Sequence, residues 1–532
     1  MTKFGICVVG ILVVIVNSGK ADSFTGAQAR ANLGFALSQY VKMMEQVENE
    51  KHLNLPGFCQ QVLSLCTPRA LHQNNIQMEV PGKWTNGFYS GVFWKLLSVG
   101  NELSMLDKVL EQQLFRHAVA HQQRLYPEVW RTDTHDLGFI IYDSFAEALA
   151  YKDLPELLEH RYEKALQQAS ASLYQRYIPE YGVIRSWDWR NAIKFPVQSE
   201  KGTQQQAFEL DTPWKIPVII DNMMNLELLL NSPLREHQLA ALSHGQQTLD
   251  NHYYTKTASS GESLTLAYHL YDYELRLPGN WQGLGNHSIW SRGQGWSLYG
   301  FATLLEQQPS LTLSEQQHAL FLRHTHKLVD TLEVLLSQHK VPDWDFIAAQ
   351  DNAADFVIDD TGIPYSPMQD LCPEQLEKAI MPYRGFRPLR LDTTLLKDSA
   401  IVQLASLRSE GGEPLLVQES FYPCGRDLSQ RYTGKIPKDS SAAAVLASAL
   451  YRLALNPAWP EKQRVIEQAD AIMRALTENF LSKSDTTSAA YHRGFVLTSA
   501  TGNMPAASEI DTGIIYADFY FIEANQLKLK LP

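Results

Sequence analysis

The feature that most constrains this chain is a helical apolar period that returns from one end to the other, broken by loops dense in Trp, His, Gly and Asp. Leu33, Ala36, Leu37, Tyr40, Val41, Met44 and Val47 recur at helical spacing, as do Leu158, Tyr162, Ala165, Leu166, Ala169 and Leu173. A third helix is expected after Ser314, which forms a capping box with Gln317 ahead of Leu320, Phe321, His324 and Leu328. A fourth follows Pro460 and carries Val465, Ala469, Ile472, Met473 and Leu476. A further helix is expected from Ser440, capped by Asp439 or Ser440. Alternating β patterns are scarce, so the main body reads as all-α. Residues 351–435 differ: they are richer in Pro, Asp and short apolar runs, and read as an inserted lobe of loops and short strands. That leaves 22–350 and 436–532 as one helical domain.

Composition and targeting narrow the function classes. The chain has 532 residues, is 45% hydrophobic and 20% charged, and carries a net charge of −12. A nucleic-acid binder needs a basic face, so that class is disfavoured. A pocket for an anionic small molecule is not, because local field and net charge are separate matters. Lys3, the apolar run 6–16 interrupted by Gly10, and small residues at Ser18, Gly19 and Ala21 form a signal-peptide pattern covering 1–21. Export to the periplasm or medium is expected, with no stable membrane insertion after cleavage. Cys7 goes with that segment and leaves Cys59, Cys66, Cys372 and Cys424, an even set that suggests disulfides. Sequence neighbours are the simplest pairs, Cys59 with Cys66 and Cys372 with Cys424. Zinc signatures, Walker A loops, dinucleotide fingerprints and nucleophile elbows are all missing, so neither metal nor cofactor is expected.

The chemistry concentrates in the loops and in one apolar stretch. Asp221 stands between Val218-Ile219-Ile220 and Asn222-Met223-Met224. A carboxyl in such surroundings is hard to ionise without partners. Taken alone, it reads first as a structural Asp that caps a helix running on through Met223 and Leu228. Five loops hold clustered Trp, His and Asp: Trp84 to Phe88, His135 to Phe139, Ser186 to Trp189, Trp290 to Trp296 and Pro342 to Phe346. Their convergence would suit a carbohydrate, whose rings stack on indoles and whose hydroxyls bond to Asp, His, Gln and Arg.

Together these motifs resemble glycoside hydrolase family 88, the unsaturated glucuronyl hydrolases. The matching pieces occur in the family's order: WTNGF at Trp84, THDLGF at Thr134, IRSWDW at Ile184, VIIDNMMNLELL at Val218, YHLYDYE at Tyr268, WSRGQGW at Trp290, PDWDF at Pro342, DSSAAA at Asp439 and GNMPAASEIDTGIIYADFYFIEA at Gly502. The resemblance implies an (α/α)6 barrel with the site at one mouth. It also implies removal of a 4,5-unsaturated uronic acid from the non-reducing end of lyase-generated oligosaccharides, which would be the binding partner. The family's two catalytic aspartates fall on Asp136 and Asp221. Asp221 is expected to be the general acid and base, and Asp136 its ionised partner. Trp84, Trp187, Trp290 and Trp296 are expected to stack on sugar; His135, His269 and Gln282 to bond to it; Arg292 to meet an anionic group. The related unsaturated rhamnogalacturonyl hydrolases share barrel and chemistry, and a barrel that binds carbohydrate without turnover is the competing non-enzymatic reading. Three departures stand out, one being the 351–435 insertion, which is atypical of the family and could roof the cleft. Ser499 occupies a position where related sequences have histidine, and Asn286-His287-Ser288 is a glycosylation sequon beside Gln282.

Overall fold

The computed structural model describes residues 23–188, 215–258, 260–274, 276–279, 282–283, 288–306, 313–346, 436–484, 488, 491–504 and 508–531, with the backbone of two further strands, Ala192–Ser199 and Gly202–Glu209. The leader, the 351–435 segment with Cys372 and Cys424, and the sequon at Asn286 lie outside the described residues.

The helices are α1 (Gly26–Glu48), α2 (Gly57–Gln61), α3 (Asn86–Glu102), α4 (Lys108–Gln123), α5 (Asp143–Leu149), α6 (Glu156–Tyr174) and α7 (Asn222–Leu230), followed by α8 (Arg235–Asn251), α9 (Ser291–Leu305), α10 (Glu315–Leu335), α11 (Ser440–Leu455), α12 (Lys462–Asn479) and α13 (Ile515–Lys530). Helices α3, α5, α7, α9, α11 and α13 form an inner ring. Each packs on the next, α5 reaching α7 through residues 138–142, and α13 returns to α3 to close the circle. Helices α1, α4, α6, α8, α10 and α12 lie outside them, each against one or two inner helices. Two concentric rings joined by alternating connections make an (α/α)6 barrel.

Composition explains which helix goes where. Helix α11 reads SSAAAVLASALYRLAL and is buried from Ser440 to Tyr451, because small and apolar residues occupy every face. Helix α12 buries one stripe, Val465, Ala469, Ile472, Met473 and Leu476, and turns charged residues outward. Each such Leu or Ile contributes roughly 1.5–3 kcal/mol on burial, so Leu476→Ala would cost about 2–5 kcal/mol. The inner helices also approach closely: a Cβ on Gly300 of α9 would lie 2.4 Å from Met223 Cβ of α7. At the ends, Thr25 forms a reciprocal capping box with Gln28, Ser314 accepts from Gln317 N, and Asp439 accepts from Ser441 N and Ala442 N.

The described strands all sit in the connections between helices. Pro217–Ile219 pairs with Leu270–Asp272, which pairs with Leu277–Gly279; Thr67–His72 pairs with Asn75–Glu79, which also pairs with Leu53–Asn54. Strands this short show no period of two long enough to read, so the sequence pointed only to the insertion as their place. Cys59 and Cys66 are bonded to one another, and Arg124 donates to the Cys66 carbonyl at 2.5 Å. No helix among the described residues is long and apolar enough to cross a membrane.

Candidate active site

Three connections are stitched together around Ser186. Its carbonyl accepts from His135 N at 3.0 Å, and its N–H donates to the Pro217 carbonyl at 3.0 Å. Its hydroxyl accepts from Ile219 N at 2.9 Å. Thr134 and Trp187 face one another across an antiparallel bridge, and Ile220 N donates to the His269 carbonyl. The THDLGF, IRSWDW and VIID segments, distant in sequence, are thereby held as neighbours.

Asn225 then ties the two aspartate-bearing segments to each other. Its Oδ1 accepts from Phe139 N at 3.1 Å, while its Nδ2 donates to the Asp221 carbonyl at 3.4 Å. Gly138 makes room: a Cβ there would lie 2.5 Å from the Asn225 Cα. The chain after Asp136 enters α5 through a widened π-type turn at Gly138–Tyr142, a form often found at functional sites.

The two carboxylates differ sharply. Asp221 occupies the N-cap position of α7, yet its side chain caps nothing. The capping interpretation is thereby set aside. Only 9% of that side chain is exposed, and Oδ2 has no hydrogen-bond partner among the described residues; His269 Nε2 lies 3.8 Å from it. Burial pushes the carboxyl up to about 7, against the pull of His135 and Arg292, and Asp136 adds to the rise. Asp136 is 24% exposed and well supplied. His135 Nε2 lies 3.1 Å from Oδ1, and Thr134 Oγ1 donates to Oδ2 at 2.7 Å. Burial raises Asp136 too, but His135, Thr134 and Arg131 outweigh it and hold the carboxyl below its ordinary value.

The remaining expected site residues divide. His269 stands beside Asp221, its Nδ1 accepting from Gln282 N at 3.0 Å and its ring 4.5 Å from that of Trp290. Trp187 is buried with Ile219 and Leu270 next to the Thr134 bridge. Trp84 is half-buried, packed on Phe139 and on Tyr516 at 4.9 Å. Trp290 is buried and covers Arg292, whose Cζ lies 4.7 Å from its ring.

Two expectations need correction. Trp296 has no exposed surface and packs between Phe139 and Tyr520 inside the ring, so its indole offers no face to a sugar. The resemblance grouped it with Trp290, but along the helix it points elsewhere. Arg292 is not poised to meet a substrate anion: both of its Nη groups are already engaged, and its Nε, which has no hydrogen-bond partner among the described residues, is buried. Nη1 donates to Asp439 at 2.5 Å and to the Thr501 carbonyl at 2.6 Å. Nη2 donates to Gln282 Oε1 at 2.9 Å and to the Gly502 carbonyl. It is a buried brace that joins α9, α11 and the 499–504 loop, and Gln282 is one of its acceptors. Ser499, the departure from related sequences, lies in that loop with a left-handed backbone (φ 59°), and its carbonyl accepts from Ser440 N. Sequence reasoning missed Asn225 and Ser186. Asn225 lies one helical turn beyond Asp221, the spacing that puts both on one face. Among the described residues no cluster of three or more His, Cys, Asp or Glu side chains is arranged to hold a metal ion.

No family model matches the chain. The unsaturated glucuronyl hydrolase of Formosa agariphila is 23% identical over 466 residues, which span 85% of this chain and 82% of that protein. This chain is homologous to the unsaturated glucuronyl hydrolases. The fold agrees. The crystal structure of an unsaturated glucuronyl hydrolase specific for heparin superposes with a TM-score of 0.58 at 22% identity, over 94% of this chain and 97% of that one. The Bacillus sp. GL1 enzyme, responsible for the degradation of glycosaminoglycan, superposes with a TM-score of 0.57 at 17% identity, over 94% and 96%.

Proposed function

We propose that this protein is a hydrolase that removes the 4,5-unsaturated uronic acid from the non-reducing end of lyase-generated oligosaccharides by hydrating the C4=C5 vinyl ether. The observation that carries the reading is the divergence of two carboxyls held by one stitched set of loops. Asp221 is raised to about 7, while Asp136 is held below its ordinary value. Vinyl-ether hydration needs one acid that keeps its proton near neutrality and one partner that stays charged.

In this scheme Asp221 gives its proton to C4, and positive charge develops at C5 and the ring oxygen. Water adds at C5, losing its proton to the Asp221 carboxylate. The hemiketal then opens to a keto-acid and expels the neighbouring sugar. Asp136 and His135 hold the uronic ring, and the Asp136 charge stabilises the developing cation. His269, beside Asp221, is placed to bond to the same ring. Trp84 and Trp187 are assigned to its faces, and Trp290 to the wall behind His269. No step requires a metal or an organic cofactor.

Export belongs to the same proposal. It is supported by the signal-type segment at residues 1–21 and by the Cys59–Cys66 bond, a linkage suited to an oxidising compartment. A panel of lyase-generated disaccharides from different polyuronides, followed by loss of the near-UV absorbance of the conjugated double bond, tests the activity. Turnover of at least one member is expected. Tight binding with no absorbance loss across the panel would leave a sugar-binding barrel instead.

A further inference from the structure

Arg176 is a buried cation that touches neither aspartate, yet it spans the two loops that present the site. It lies two residues beyond α6, with 3% of its side chain exposed. Its Nε donates to the Arg185 carbonyl at 2.8 Å. Its Nη1 donates to the Thr132 carbonyl, two residues before Thr134. Both Nη groups pair with Asp188, at 3.0 and 3.2 Å, in the forked geometry that only a guanidinium supplies. Arg185 adds a second contact to Asp188 at 3.2 Å, and Arg185 N donates to the Arg176 carbonyl. One guanidinium thus clamps the chain just ahead of His135-Asp136 to the chain on both sides of Ser186-Trp187.

We infer that Arg176 is a positioning residue for the reaction: it fixes the Asp136 loop against the connection that carries Ser186, and through Ser186 sets the separation of Asp136 from Asp221. The inference rests on the catalytic reading of the two aspartates. A buried arginine kept only for stability would be replaceable at no cost to kcat in the folded enzyme. A clamp would not be, since misplacement by about 1 Å costs on the order of 10²-fold in rate. It would also leave a mark on the pH profile. Asp136 contributes to the raised pKa of Asp221, and exclusion of water contributes most. If the Asp136 loop recedes, both contributions shrink, and the alkaline limb of kcat moves to lower pH.

The test compares Arg176→Ala, Arg176→Lys and the milder Asp188→Asn, whose carboxylate is half exposed. With an unsaturated disaccharide that the wild type turns over, Arg176→Ala should lose about 10²-fold in kcat with KM changed far less. Arg176→Lys should recover part of that loss, Asp188→Asn should lose several-fold, and all three should shift the alkaline limb downward. Wild-type kcat in the folded alanine variant would overturn the inference. So would losses that merely follow the melting temperature with an unmoved pH limb. Hydrogen exchange at residues 132–136 and 185–188 separates this from failure of the proposed activity. If the wild type turns over no substrate, the clamp still predicts faster exchange in both segments of Asp188→Asn, and unchanged exchange overturns it.

Discussion

Asp221 and Asp518 are both buried aspartates whose carboxyls burial pushes up to about 7, and they differ in how their oxygens are used. Asp518, on α13, accepts from Val496 N at 3.0 Å, Leu497 N at 2.9 Å and Tyr40 OH at 3.1 Å. Those bonds fasten the 491–504 loop and α1 to the barrel wall. Asp221 has an oxygen with no hydrogen-bond partner, in a pocket with His269 and a second, ionised aspartate. A raised pKa therefore does not mark a catalytic acid in this molecule. Nor does an unpartnered oxygen by itself, since Asp143 Oδ2 also lacks a hydrogen-bond partner among the described residues and burial raises that carboxyl too; what sets Asp221 apart is that its free oxygen faces His269 and shares the stitched loops with Asp136.

The largest expected effect is at Asp221. Asp221→Asn should lower kcat by roughly three or more orders of magnitude while substrate still binds, as expected when a proton-transfer group is removed. Its stability should move the other way. A carboxyl raised in the fold stabilises it most below its unfolded pKa, and that contribution is lost as pH rises to the folded value of about 7. Melting curves should show the variant gaining on the wild type across that window, by at most about 4 kcal/mol. Near-wild-type turnover would erase the distinction from Asp518.

Asp136→Asn comes next, with a loss of roughly 10²-fold in kcat. Its pH profile should shift its alkaline limb downward, because the charge that helps raise Asp221 is gone. An unmoved limb would show that the two carboxyls are not coupled. Asp518→Asn should do the reverse of Asp221→Asn. It disrupts bonds to two N–H groups and a phenol, so chemical denaturation should report a loss of about 1–3 kcal/mol, with kcat of the folded enzyme nearly intact. Loss of kcat without loss of stability would break the comparison from the other side. The smallest effect is expected from Thr134→Val, which removes two hydrogen bonds with Asp136, one donated to Oδ2 and one accepted from its N–H. A kcat loss of a few-fold is expected, with the acid limb moved upward as Asp136 becomes easier to protonate. Steady-state profiles against pH would check both parts.

Much of this was legible in the sequence where one residue's surroundings are local. The helices that begin at Thr25, Ser314 and Asp439 carry their caps beside them, and Asp221 announces its burial through its apolar neighbours. What crosses the fold was not legible. Trp296 and Arg292 share a motif with Trp290, but where each points is decided by Phe139 and Tyr520 for the one and by Asp439 and the 499–504 loop for the other, all more than 140 residues away in sequence. Ser186 and Asn225 act by joining loops, and no local pattern distinguishes such a serine or asparagine from an ordinary one. The short strands that carry Asp221 and His269 to the rim are only three residues each, too brief for alternation to show.

The central claim is that Asp221 protonates a vinyl ether, and the isotopic outcome of the reaction in deuterated water tests it most directly. Hydration at C4=C5 should place deuterium at C4 of the uronic product, and the saturated glucuronide, which has no double bond to protonate, should be inert. An ordinary glycosidase, with two carboxylates flanking the anomeric carbon, would cleave the saturated substrate at a comparable rate and leave C4 without deuterium. That result would contradict the account.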